Sequence, residues 1–352
     1  MTRLLRKAPR WSQYVNQPTF TRPSSSAAGR RRLDLSPPFP TVSTCPEPTC
    51  ACAETPQDLD IDYEQKLNGT MAGYSQQVLI ATGQPDWRSR IEEDGVDEGW
   101  GMLGRGLKGL IGRGGKYSDP YNNILITNSS FPTNLSQSTK QDKKPSSAAA
   151  FIFPSFKYVP DIPLTEDGLE RFVRAFLLPR NVHSAHDVLP EEQREKMKKV
   201  PELEGTFENL KAIQHSPTVL ICGHGHRDKR CGIMGPLLRS EFQRVLRSEG
   251  FSTTEENPND GGIVDEPGHA NLALISHIGG HKYAGNVIIY LPPSIAENRQ
   301  VSGESLAGKG IWYGRVEPRH VEGIVKETIL KGRVVTDHFR GGVGLDGQML
   351  RM

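Results

Sequence analysis

Cysteine is scarce in this chain: among 352 residues there are five. Five cysteines cannot build the dense disulfide framework of a small secreted domain, and an odd number leaves at least one thiol unpaired. Long hydrophobic runs are missing too. No stretch approaches the ~20 apolar residues of a membrane-spanning helix, so a soluble protein with no membrane span is expected. Nor does charge of one sign prevail: 43 basic and 41 acidic residues leave a formal net charge of +2, too little to imply a nucleic-acid partner. Hydrophobic residues make up 36%, against 36 glycines and 26 prolines, so a sizeable share of the chain must be loop. The length still suffices for two domains with cores of their own.

One absence is local. No acidic residue precedes Asp34, while Arg3, Arg6, Lys7, Arg10, Arg22, Arg30, Arg31 and Arg32 are basic and Ser24, Ser25 and Ser26 cluster. That composition, without the apolar core of a secretory signal, predicts a mitochondrial transit peptide over residues 1–33 and residence in the matrix or intermembrane space.

Beyond it, residues 34–60 read as a lead-in. VLIATG (Val78 to Gly83), NNILITN and FIFPSFKYV read as strands. Thr165 is placed to cap a helix whose Leu169, Phe172, Val173, Phe176 and Leu177 share a face. The glycine-rich stretch Gly99 to Gly115 lacks the Lys-Ser/Thr ending of a phosphate loop and is expected to be a mobile loop. Residues 129–147 are polar and expected to be disordered. The plan then recurs: TVLICG, a helical pattern over Gly232 to Ser248, two more strands, IWYGRV and a proline-started helix. Two related α/β units are therefore expected over residues 45–180 and 205–335, with a tail at 336–352.

The chemistry concentrates in the second unit. CGHGHRDKRC holds Cys222 and Cys231 with eight residues between them, and HIGGH holds His277 and His281 with three between. Two thiolates and two imidazoles suit zinc or an iron–sulfur cluster. The histidine spacing fits zinc, but the cysteine spacing is long for a zinc knuckle. A Rieske centre also uses two of each ligand, yet alternates them within each loop. Gly223, Gly225 and Gly232 would let the backbone wrap closely, and Arg227, Lys229 and Arg230 add positive charge that favours thiolates. His224 and His226 read as solvated or supporting residues.

CGHGHRDKRCG followed by HIGGHKYAGN resembles the sucrase/ferredoxin-like family of thioredoxin-like ferredoxins, over roughly residues 45–335. Members ordinarily bind a 2Fe–2S cluster through four cysteines; here His277 and His281 stand in place of the second cysteine pair. The resemblance implies two thioredoxin-like units in an α/β fold, the N-terminal one without a cluster and the C-terminal one a thioredoxin-like ferredoxin domain. It implies Cys222, Cys231, His277 and His281 as ligands of a 2Fe–2S cluster, and an electron-transfer role in redox or thiol homeostasis. A redox partner protein and the iron–sulfur assembly machinery would be its partners. No carboxylate pair suggests sucrase chemistry. A thiol–disulfide oxidoreductase using Cys222 and a structural zinc protein are the competing readings. Cys45, Cys50 and Cys52, in CPEPTCAC, fit a thiol switch or plain loop thiols equally.

Overall fold

A computed structural model describes residues 37–133, 145–253, 264–296 and 306–352. The expected transit peptide, and most of the segment expected to be disordered at 129–147, lie outside the described residues. The first half contains β1 (Thr41–Val42), β2 (Gln76–Ala81), α1 (Gly99–Ile111), β3 (Ile124–Ser129), β4 (Ser147–Phe153), β5 (Lys157–Pro163), α2 (Glu166–Phe172), α3 (Glu191–Lys196) and β6 (Lys211–Ala212). The second contains β7 (Thr218–Cys222), α4 (Lys229–Ser248), β8 (Ser252–Thr253), β9 (His269–Ile275), β10 (Val287–Leu291) and β11 (Lys309–Tyr313). It closes with α5 (Pro318–Ile324), β12 (Val334–Val335), β13 (Phe339–Val343) and β14 (Met349–Leu350).

The fold is mixed α/β, and the same pairing occurs twice. β2 and β3 run parallel across α1, and β4 and β5 add antiparallel, in the order β3-β2-β4-β5. β7 and β9 run parallel across α4, and β10 and β11 add antiparallel, in the order β9-β7-β10-β11. A single antiparallel pair, Ser129 opposite Ile275, joins the halves into one sheet. Residues from Ser36 onward form one compact unit.

Strand alternation explains the two cores. Val219 and Ile221 of β7 face one cluster together with Leu238, Phe242, Val245 and Leu246 of α4. Leu220 and Cys222 face the other. Burial of such aliphatic and aromatic side chains contributes about 1.5–3 kcal/mol each. In the second cluster the half-sheets meet face to face: the Phe153 and Tyr290 rings stack at 4.2 Å, and the Tyr290 hydroxyl donates to Gln77 Oε1 at 2.7 Å. Gln77 and Tyr290 sit on strands well apart in the sheet order, so the sheet must curl back on itself.

Two sequence expectations are corrected. The glycine-rich stretch from Gly99 is a helix, because Trp100, Leu103 and Leu107 fall on one buried face. Some of its glycines are close-approach positions: a Cβ on Gly99 would lie 2.6 Å from the Ser147 carbonyl. The expected tail instead supplies β13 and β14, which extend the sheet beyond β11. The lead-in is a strap. β1 pairs with β12, the Thr49 N–H donates to Glu322 at 2.8 Å, and the Ala53 N–H donates to Glu241 at 2.9 Å. Thr165 caps α2 as expected, accepting from the Gly168 N–H at 3.1 Å. No helix among the described residues is long and apolar enough to cross a membrane.

Candidate metal centre

Cys222 is the last residue of β7, and its N–H donates to the Asn286 carbonyl at 3.0 Å. The chain then turns through a short loop into α4, whose first turn carries Cys231. Asp228 caps that helix by accepting from the Arg230 N–H, and its carboxylate is gripped again by the Arg230 guanidinium at 2.9 Å. The loop folds flat against the helix only because glycines face each other. A Cβ on Gly232 would lie 2.5 Å from the Gly225 Cα, and one on Gly235 would lie 2.5 Å from the Gly223 Cα. Both thiols are buried, at 2% and 1% exposure.

The two thiols interact. A hydrogen bond from Cys231 holds the Cys222 thiol well below its ordinary range against the cost of burial, helped by the His277 ring and the His224 N–H. Cys231 moves up, as the member of the pair that keeps its proton.

The second loop leaves β9 and passes through Gly279 and Gly280, both in the left-handed region at φ +86° and +74°. That conformation explains why glycine stands at these positions. It turns His277 and His281 toward each other, with ring centroids 5.4 Å apart. His277 lies against Cys222, and its Nδ1 is buried with no hydrogen-bond partner. His281 is 46% exposed, with Nε2 4.0 Å from Asp228. The structure thus brings Cys222, Cys231 and His277 into one site, with His281 at its outer edge. Among the described residues no three His, Cys, Asp or Glu side chains are gathered around a single ion position.

Supporting residues surround these four. His224 is 1% exposed. Its Nδ1 accepts from the His277 N–H at 3.0 Å, and its Nε2 faces the Trp87 and Arg88 carbonyls at 2.9 and 3.0 Å. An amide on one side and carbonyls on the other put the ring proton on Nε2. His226 is exposed and pairs with Asp86 at 2.7 Å. Arg340 of β13 donates to the Gly279 carbonyl at 3.2 Å, and the Asn286 amide donates to the Gly280 carbonyl at 2.9 Å. Arg340 and Asn286 were not foreseen from sequence. Asn286 lies in HKYAGN, beside the second motif; nothing in the sequence marked Arg340.

Comparison with known proteins gives this geometry a context. The sucrase/ferredoxin-like family profile matches residues 67–341, most of the chain and both loops. The chain belongs to the sucrase/ferredoxin-like family. Among curated proteins it is 29% identical over 315 residues to altered inheritance of mitochondria protein 32 of Meyerozyma guilliermondii, covering 86% of this chain and 95% of that protein. The protein of the same name from Debaryomyces hansenii is also 29% identical, over 327 residues, covering 86% of this chain and 96% of its own. The Clavispora lusitaniae protein of that name is 41% identical over 130 residues, covering 36% and 35% of the two chains. No solved structure matches. The matched range includes Thr70 and Arg340, which lie beside the second loop.

Proposed function

We propose that this protein is a mitochondrial electron carrier with a 2Fe–2S cluster, one iron held by Cys222 and Cys231 and the other by His277 and His281. The observation that carries this reading is the buried, unpartnered Nδ1 of His277 beside the Cys222–Cys231 thiol pair. A buried polar atom without a partner costs about 1–3 kcal/mol, and a metal removes that cost. A two-iron cluster takes its ligands two by two, which suits two homogeneous loops better than one tetrahedral ion does. The donor set fits the group.

When bound, the cluster supplies one-electron redox chemistry. The chain's own residues bury the two thiols, lower the pKa of Cys222 and leave the His281 edge facing solvent. That exposed edge is where a redox partner protein would dock, and the iron–sulfur assembly machinery would load the site. Each half follows the strand–helix–strand, strand–strand–helix plan of a thioredoxin-like unit, and only the C-terminal half carries the ligands. Mitochondrial residence rests on the basic, acid-free N-terminus together with the name that the fungal relatives carry.

Anaerobic purification tests the proposal. About two iron and two acid-labile sulfide per chain are expected, with a visible chromophore that Cys222→Ser or Cys231→Ser abolishes. Stoichiometric zinc in a colourless protein refutes it. The interaction between the two cysteines, which holds the Cys222 thiol well below its ordinary range, also supports a thiol–disulfide oxidoreductase. That reading requires metal-free protein that reduces a disulfide substrate through Cys222, although the thiol is 2% exposed.

A further inference from the structure

Arg340 is a buried cation without an anion. It is 1% exposed, the second residue of β13. Its Nε donates to Thr70 Oγ1 at 3.0 Å and Nη2 to the Thr70 carbonyl at 2.9 Å. Its Nη1 donates to Asn286 Oδ1 at 2.7 Å and to the Gly279 carbonyl at 3.2 Å. Every acceptor is a neutral oxygen, and among the described residues no carboxylate pairs with it. The rings of Tyr283 and Trp312 lie 5.4 and 5.7 Å from the guanidinium carbon, so even its faces are covered by protein. A desolvated charge is costly unless an opposite charge is near.

The candidate metal centre, a source of negative charge, lies beside it. Arg340 reaches the HIGGH loop directly at Gly279, and through Asn286 at Gly280. Asn286 also receives the Cys222 N–H on its carbonyl, so one residue links the guanidinium to both ligand loops. The guanidinium packs directly against Gly280, where a Cβ would strike it, so only glycine fits beside it. Burial pulls the Arg340 pKa down to about 10, while Tyr283 and the Cys222 and Cys231 thiols oppose that shift. The group stays charged at neutral pH.

We propose that Arg340 is the fixed counter-charge of the Cys₂His₂ centre and the clamp of its histidine loop, favouring the more negative, reduced form of the cluster. This rests on the cluster reading above. Arg340 is a positioning residue, acting through the carbonyls of Gly279 and Gly280 and through its field.

The test is redox titration of anaerobically purified full-length protein, with iron analysis and thermal melting on each variant. Arg340→Lys keeps the charge and should keep the wild-type potential. Arg340→Gln removes it. At a fixed applied potential its reduced-to-oxidised ratio should fall on the order of tenfold, which for one electron is a downward shift of about 59 mV. A purely structural arginine predicts lower melting temperatures in both variants and an unmoved potential; that result overturns the proposal. If Arg340→Gln fails to fold or to hold iron, Asn286→Asp decides. It places a carboxylate 2.7 Å from Nη1 and cancels the charge in place, so the potential must fall again. An unchanged potential there refutes the counter-charge role. A wild-type protein without iron refutes the cluster reading itself and the proposal with it, and the metal analysis shows which has failed.

Discussion

Replacing His224 with alanine separates a ligand from a brace. His224 is fully enclosed and joins three segments: its own loop after β7, the Trp87–Arg88 turn after β2, and the first residue of the HIGGH motif. Alanine removes the acceptor of the His277 N–H and the donor to the Trp87 carbonyl. Each buried group left unpaired costs about 1–3 kcal/mol, so a loss of roughly 2–6 kcal/mol of stability is expected, some of it recovered if water enters. His224 binds no iron in the proposed ligand set, so the variant should purify coloured. His277 would lose its anchor, and loss of such an outer partner typically weakens metal binding about 10–100-fold. The assay follows the decay of the visible band under an iron chelator, beside a thermal melt. Faster bleaching with a lowered melting temperature is expected. Bleaching at the wild-type rate would refute the brace, and a colourless protein with normal stability would make His224 itself a ligand.

Three further outcomes follow from the same geometry. His281→Cys should keep a cluster and lower its potential, since imidazole ligands raise potentials relative to thiolates; a potential at or above wild type in voltammetry argues against His281 as ligand. His320 packs its ring 4.2 Å from that of His338, and burial first, then His338 and Arg319, push its pKa down to about 3. The unfolded imidazole, with a pKa of 6.5, protonates first, so this stability is complete above that pH and lost as pH falls toward 3. About 1–2 kcal/mol should be gone at about pH 5. His320→Gln, which can still accept from the Glu317 N–H, should narrow the gap in melting temperature between neutral and mildly acidic buffer, and an unchanged gap refutes the assignment. A reporter carrying residues 1–40 should be imported into mitochondria and shortened; one left uncut in the cytosol shows only a basic leader.

The two candidate loops were legible because each is a short contiguous string. In one string a cysteine stands at a strand end; in the other a glycine pair with positive φ lies between two histidines. Strands such as Val78 to Ala81 and the cap at Thr165 were legible for the same local reason. Helix α1 was not, because it holds five glycines, each costing about 0.5–1 kcal/mol relative to alanine in a helix. That deficit of about 3–5 kcal/mol is comparable to the burial of Trp100, Leu103 and Leu107, worth about 1.5–3 kcal/mol or more each. Packing partners that local propensity cannot see decide the outcome. β13 was missed on similar grounds: FRGGV has no alternating pattern, and its arginine points into a buried site rather than water.

The supports of the site come from far apart in the chain, and this is where sequence order misleads. A unit bounded at 205 and 335 contains all four proposed ligands. It omits the Trp87 carbonyl that fixes the His224 ring, the Thr70 oxygens that hold Arg340, and Arg340 itself. It also omits the strap, whose Asp60 carbonyl takes a hydrogen bond from Arg230 at 2.8 Å and whose Asp62 N–H donates to the Lys282 carbonyl at 2.8 Å. These contacts press on both ligand loops from outside the repeat that carries them. The ligand-free half therefore has a physical role. It supplies the opposing sheet face, the turn at Trp87 and Arg88, and the far side of the buried core. A cysteine–histidine centre built on two glycine-rich loops has little rigidity of its own, and the rest of the chain provides it.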